Sequence, residues 1–218
     1  MRVMPSLCLW GLLVWCAGAL CAAESEALVT PSHRLEPVDP AWRNLLAQIE
    51  QRPDGAADFE ERRYFPFKSR PTVLTGEVRV SAHHGLSLHY LEPDERMVII
   101  DERGLLLREK GRDTTPPADP RATAANTAML HLLRLNLGAL NESFEIYGAR
   151  AGESWTLALV PRDESLRRTL GQIAVMGEKT VVRRIEMRRS LTQRVEILVG
   201  VPRPPAPFTD EELRRYFR

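Results

Sequence analysis

The side chains able to do chemistry in this sequence are many, but few of them fall into a pattern. There are five histidines, His33, His83, His84, His89 and His131. His83 and His84 are the adjacent pair. In a strand they would point to opposite faces and chelate poorly; a turn would relax that, but metal-binding partners at suitable spacing are missing. No Gly-x-Ser-x-Gly elbow is present to expose a serine nucleophile. The glycines are scattered and form no phosphate-cradling loop. Acidic pairs such as Glu60-Glu61 and Asp210-Glu211-Glu212 stand beside arginines, as solvated or helix-capping carboxylates do, and nothing selects two of them as a glycosidase pair. Arg183-Arg184 and Arg188-Arg189 make one segment locally basic. The plain reading is a solvated strand face; the functional one is contact with anionic head groups or an acidic partner. The sequence therefore implies no cofactor, no metal and no catalytic residue, and the expectation is a protein that is not an enzyme.

Composition narrows the classes further. The 218-residue chain has three cysteines, Cys8, Cys16 and Cys21, all near its start. Beyond them there is no thiol for a disulfide framework, a thiolate zinc site or a cysteine nucleophile. Apart from Arg2, residues 1–23 carry no charge. Without Arg2 the basic count falls from 30 to 29, equal to the 29 acidic residues. A general nucleic-acid binder would show a basic excess. Arg2, the apolar stretch Leu7–Trp15 and the small residues Ala17-Gly18-Ala19 and Ala22-Ala23 read as a secretory signal at 1–23, cleaved after Ala22 or Ala23. The weighed alternatives are an uncleaved anchor and, from Cys21, a lipoprotein, although Leu20 is bulky for a lipobox. The expected compartment is the periplasm, where a thiol-free domain is ordinary.

The elements that must position any site follow from periodicity. Residues 24–38 are a polar, proline-containing lead-in, expected to be flexible. Asp39-Pro40 opens a helix at 40–51, with Trp42, Leu45, Leu46 and Ile49 on one stripe. In 72–82, Leu74, Gly76, Val78, Val80 and Ala82 alternate with Thr75, Glu77, Arg79 and Ser81, as in a half-buried strand. Further strands are expected at Leu86–Tyr90, Met97–Ile100, Leu105–Leu107, Phe144–Ala149, Trp155–Leu159, Ile173–Val175, Ile185–Met187 and Val195–Val201. Their close spacing lacks a βαβ rhythm. The fold class is mainly β with helices (α+β), an incomplete, strongly curved antiparallel barrel covered by helices.

Between the strand clusters, 112–120 reads as a Thr/Pro/Asp loop and Ala122–Leu137 as one helix with a wide apolar surface. That helix either packs in the core or covers the mouth of the curved sheet. At the end, Thr209 and Glu212 form a capping box, with Phe208 and Leu213 at the staple positions. Leu213, Tyr216 and Phe217 give the short helix at 209–218 an apolar edge to dock. A thiol-free, charge-balanced curved sheet with a strongly apolar helix can do one thing without catalytic groups: bury an apolar ligand. Each buried methylene contributes about 0.8 kcal/mol, so a sixteen-carbon chain gains roughly 12 kcal/mol gross.

The order of these segments resembles the LolA-like periplasmic lipoprotein-carrier family, in its divergent branch. The resemblance rests on Ala57–Arg63 leading into the first strand, Leu74-Thr75-Gly76-Glu77-Val78-Arg79-Val80, Met97–Leu105 and Trp155–Arg162, and covers about 42–208. It implies a carrier domain at 39–208 that holds acyl chains and hands them from an inner-membrane exporter to an outer-membrane acceptor, working as a monomer. The family's Arg-Pro pair after its second strand is replaced here by Ala82-His83-His84-Gly85. A glycolipid, a phospholipid or another acylated product therefore fits as cargo as well as a lipoprotein does. The expected cavity residues are Leu74, Val78, Leu88, Tyr90, Leu130, Leu133, Trp155, Leu157 and Leu159. The alternative functions are an envelope sensor or scaffold module of the same fold, which needs no cargo, and an enzyme of lipid or glycan modification.

Overall fold

The computed structural model describes residues 29–35, 39–50, 54–116, 120–133, 135–204 and 206–218. The signal segment expected at 1–23 lies outside them. Eleven strands form one antiparallel sheet. The first six are β1 (Gly55–Tyr64), β2 (Thr72–Ser81), β3 (Gly85–Glu92), β4 (Arg96–Asp101), β5 (Gly104–Glu109) and β6 (Arg112–Thr114). After the helical segment come β7 (Phe144–Ala151), β8 (Ser154–Pro161), β9 (Gln172–Glu178), β10 (Val181–Arg188) and β11 (Arg194–Val199). Their order is β6-β5-β4-β3-β2-β1-β11-β10-β9-β8-β7, two meanders joined where β1 pairs with β11. The sheet does not close: β6 and β7 are its two edges. β6 falls within the stretch expected as loop.

Two register shifts add curvature. Thr75 and Gly76 of β2 face Glu92 and Tyr90 of β3, leaving Leu91 as an extra residue; Val182 and Arg184 of β10 flank an extra Arg183 in the same way. Such bulges bend and twist the strand that holds them. The expected barrel-like curvature thus has identifiable local causes.

The helices are α1 (Pro40–Glu50), α2 (Pro120–Leu133), α3 (Leu137–Ser143), α4 (Glu164–Leu170) and α5 (Asp210–Tyr216). α1 has the expected stripe, with Trp42, Leu45 and Ile49 buried. The single helix expected at 122–137 is instead two. Leu135 takes a left-handed backbone, φ 46°, and its N–H donates to Leu132 O at 3.0 Å, while that of Asn136 donates to His131 O at 3.0 Å. This is the Schellman closure, here with leucine where glycine is usual. The Asn136 side chain then accepts from Ala139 N–H at 3.1 Å and starts α3. The leucines recurring through 130–140 hide such a break. α4 had no counterpart among the sequence expectations, although Asp163 caps it by accepting from Leu166 N–H at 3.0 Å and Gly171, φ 71°, ends it. The end of the expected lead-in is anchored: Leu35 is buried and donates its N–H to Ile146 O at 2.7 Å on β7.

α5 docks as its sequence requires. Its capping box is complete, with Glu212 N–H donating to Thr209 Oγ1 at 3.2 Å and Thr209 N–H to Glu212 Oε2 at 2.9 Å. Tyr216 and Phe217 are buried with Met97, Ile99 and Leu106 on the convex side of β4 and β5, joined by Phe208 and Leu213. Arg218 clamps Asp101 through two bonds of 2.6 and 2.7 Å. β2 is accordingly not half-buried as expected: its polar face is covered too. Arg79, 5% exposed, lies flat under the Tyr216 ring at 3.4 Å, and Ser81 is buried beside it.

The electrostatics of this dock imply an acid response. Burial raises the Asp101 pKa, but hydrogen bonds from Arg218 and Arg103 outweigh it and leave a net lowering. The Thr209 backbone N–H lowers that of Glu212. A folded pKa below the unfolded one contributes stability that is full above the unfolded value, near 4, and is lost as the pH falls through the folded value. Amide protection in 210–217 is therefore expected to fall between about pH 4 and pH 2. Asp101→Asn should show part of that loss already at neutral pH. Hydrogen exchange read by mass spectrometry checks both.

Candidate functional site

The ladders decide which face lines a site. On the concave side lie Phe59 and Glu61 of β1, Leu74 and Val78 of β2, Leu88 and Tyr90 of β3, Val98 of β4 and Ile197 of β11. The second meander adds Ile185, Val175, Leu157 and Gly148 in register across β10, β9, β8 and β7, with Leu159 and Ile146 paired in the next row. The expected site residues on strands, Leu74, Val78, Leu88, Tyr90, Trp155, Leu157 and Leu159, all share this face. The side chain of Leu133 lies outside the described ones.

The two halves of that face differ. Over β7–β10 it is filled: α1, α3 and α4 bring Trp42, Leu45, Leu140 and Leu166 onto Trp155, Leu157, Leu159 and Ile173. Two glycines make the packing this tight. The Trp42 ring lies over Gly148 and the Trp155 ring over Gly177, where an added Cβ would stand 2.6 and 2.1 Å from the indole. Trp155, Leu157 and Leu159 are thus core side chains.

Over β1–β5 cover is partial. α2 straddles the boundary: Ala125, Ala128 and Leu132 join the filled half, while Leu130 packs on Leu86 and Ile100. Past that point Val78, Leu88, Val98 and Ile197 remain half-buried. They form an apolar trough that starts under α2 and runs along the strands.

The trough ends at Tyr90, one of the expected cavity residues, and at charged groups that were not among them. Glu61, 4% exposed, accepts from Tyr90 Oη at 2.6 Å and from Arg63 Nε. Phe59 meets the Tyr90 ring edge-on at 5.2 Å, and the Arg96 guanidinium lies 4.8 Å from that ring's centre. Burial pushes the Tyr90 phenol well above its usual pKa, and the Glu61 carboxylate pushes it further. For Arg63, burial opposes the charge, but the bond and attraction to Glu61 prevail and raise its pKa. The signal in sequence was charge at concave-parity positions: Glu61 and Arg63 continue the Ala57–Phe59 face.

Other candidates resolve differently. His83 and His84 sit in the β2–β3 turn, not a strand, and the His84 ring contacts Phe217 at 5.7 Å. They border a polar cleft of about 340 Å³ with Asp101, Glu102, Arg103 and Arg218. The basic segment of β10 is neutralised on the convex face. Arg184 pairs with Glu186 and Glu196 at 3.0 and 3.2 Å, and Arg188 with Glu186 at 2.6 Å. The carboxylates of Glu186 and Glu196 are buried beneath those arginines. Among the described residues no helix is long and apolar enough to cross a membrane.

The architecture is an open, curved antiparallel sheet whose concave side is lined by helices. No family model matches the chain, and no curated protein matches it. Solved structures of similar fold include a domain assigned to outer membrane lipoprotein sorting from Vibrio parahaemolyticus, at 8% identity and TM-score 0.42, over 80% of this chain and 95% of that one. Another is the LolA superfamily protein NE2245 from Nitrosomonas europaea, at 8% identity and TM-score 0.42, over 78% and 96%. MucB of Pseudomonas aeruginosa, solved with MucA, is similar at 15% identity and TM-score 0.43, over 79% of this chain and 59% of MucB. At these identities and TM-scores the likeness is one of fold alone.

Proposed function

We propose that this protein is a non-catalytic periplasmic carrier that takes up the acyl chain of a lipid or lipoprotein in the concave trough and releases it toward the outer membrane. The observation that supports this reading is the uneven cover of one continuous apolar face. A core that served stability alone would be closed over both halves, because half-buried aliphatic side chains forgo part of their burial energy. Here helices fill the β7–β10 half and leave Val78, Leu88, Val98 and Ile197 half-buried beside a solid floor of Phe59, Leu74 and Tyr90. An acyl chain laid on them would complete the burial, and the non-directional interaction suits loosely specified cargo.

The test is uptake of a fluorescent fatty acid by the purified protein, together with native mass spectra for lipid carried from the cell. Val98→Asp places a charge on the trough floor and is expected to weaken uptake more than about tenfold, since burying an unpaired charge is costly. Val78→Asn is the milder companion if the aspartate variant fails to fold. A clean apo mass with no uptake by the unaltered protein would sink the carrier reading. Copurification of a protein partner in place of lipid would favour a sensor or scaffold.

A further inference from the structure

The polar end of the trough has a composition that apolar packing does not require. Arg63 and Arg96 stand at concave-face positions there with the carboxylate of Glu61, and toward the sheet edge Glu109 of β5 shares that face and stands opposite Arg112 of β6, three guanidinium groups against two carboxylates. Glu61 is engaged by Arg63 and by the Tyr90 hydroxyl. Arg96 rests on the Tyr90 ring and has no carboxylate partner among the described residues. One positive charge is thus left over where an apolar channel opens. From α2 outward, an occupant meets covered aliphatic groups, then half-buried ones at Val78, Leu88 and Val98, then the unpaired guanidinium.

We infer that the trough selects amphiphiles with an anionic head, a carboxylate or phosphate at the end of an acyl chain, and that Arg96 receives the head. This rests on the carrier reading and adds the class of cargo. Arginine suits the role because its planar fork meets carboxylate and phosphate oxygens with two parallel N–H bonds and sheds water more readily than an ammonium. The aromatic ring beneath holds the guanidinium flat without consuming its in-plane donors. Glu61 and Arg63, already bonded to each other, fix the position of Tyr90 and hence of Arg96. The carboxylate of Glu61 also repels an anion that slides past Arg96, which sets the depth of the head. Arg63 keeps 35% of its side chain exposed and stands as a second donor beside that stop. Arg96 is a binding residue in this scheme; Glu61 and Tyr90 are positioning residues.

The experiment compares cis-parinaric acid with its methyl ester, which have the same chain and differ in head charge, in fluorescence titrations of the purified protein at neutral pH. The acid is expected to bind at least about tenfold tighter, the lower range of what a charge-assisted hydrogen bond contributes. Arg96→Gln should weaken acid binding to the level of the ester and so abolish the preference, while Arg96→Lys, which keeps the charge, retains part of it. An unchanged melting profile of Arg96→Gln confirms that it folds. Equal binding of acid and ester by the unaltered protein, or a preference that survives Arg96→Gln, overturns the head-group assignment and leaves the carrier reading standing. No binding of either ligand overturns both. A long-chain alkyl phosphate competing as well as the acid would place phosphate heads in the class; competition by the acid alone would restrict it to carboxylates.

Discussion

Replacing Phe217 by alanine is expected to destabilise the protein by about 3–5 kcal/mol, the range for removing a fully buried phenylalanine. Phe217 is 1% exposed and joins Tyr216, Met97, Ile99 and Leu106 in one apolar cluster on the convex side. The loss should exceed that of an ordinary core residue in one respect. The helix holding it, α5, is only seven residues long, too short to persist without its dock. When it leaves, Met97, Ile99 and Leu106 face water, and the Arg79 guanidinium loses the Tyr216 ring that covers it. Urea titration should show a lower midpoint. The slope should also fall if α5 is already detached in the native state, because less surface then remains to be exposed. An unaltered midpoint would mean that the helix contributes nothing to the fold.

The second large effect is expected on the concave side. Gly177→Val should cost about 3 kcal/mol or more, because the new side chain occupies the place of the Trp155 indole. Its Cβ alone would stand 2.1 Å from the ring. The ring cannot step aside cheaply, since its Nε1–H donates to Lys179 O at 2.8 Å at the β9–β10 turn. Denaturation followed by tryptophan fluorescence reads both consequences, a lower midpoint and a red-shifted native spectrum. The effect bears on function by contrast: this half is packed to the limit, while the half with Val78 and Val98 is not. Under the carrier proposal, an acyl chain is therefore expected over the β1–β5 half.

Much of the fold was legible because it is written in local periodicity. The alternation in 72–82, the stripe of Trp42, Leu45 and Ile49, and the Thr209–Glu212 box each reflect forces acting within one element. What was hidden depends on contacts between elements. The polar face of β2 looked solvated because Arg79 and Ser81 are polar; Arg79 is covered by Tyr216 of α5, far along the chain. The continuous runs Met97–Ile100 and Leu105–Leu107 did contain the clue, since a strand apolar at both parities is covered on both faces. The break at Leu135 was masked by the leucines that recur on either side of it, and α4 by its brevity. For the site, period-two reading placed Leu74, Val78 and Leu88 on one face correctly. It could not separate the packed half from the open one, because both are aliphatic and only the helices distinguish them. Glu61 was read as a solvated or capping carboxylate and Arg96 drew no reading, their shared face being visible only once β1, β2, β3 and β4 are in register.

The pairing of β1 with β11 carries a consequence for how the chain reaches this state. Within each meander every strand pairs with its sequence neighbour, so two locally wired sheets can zip independently and fast. The ladder from Phe59–Val199 to Tyr64–Arg194 is the one strand pairing between the two meanders, and the dock of α5 on β4 and β5 adds a second long-range tie. Loop-closure entropy makes such a non-local join the slow step. During synthesis from the N-terminus, β1 keeps an unpaired edge until β11 has emerged. The run of charges Glu60-Glu61-Arg62-Arg63 along that edge is the kind of side-chain set that keeps a waiting strand from recruiting a stranger. Chaperone dependence during synthesis, if measured, should therefore track the length of that wait rather than the final stability.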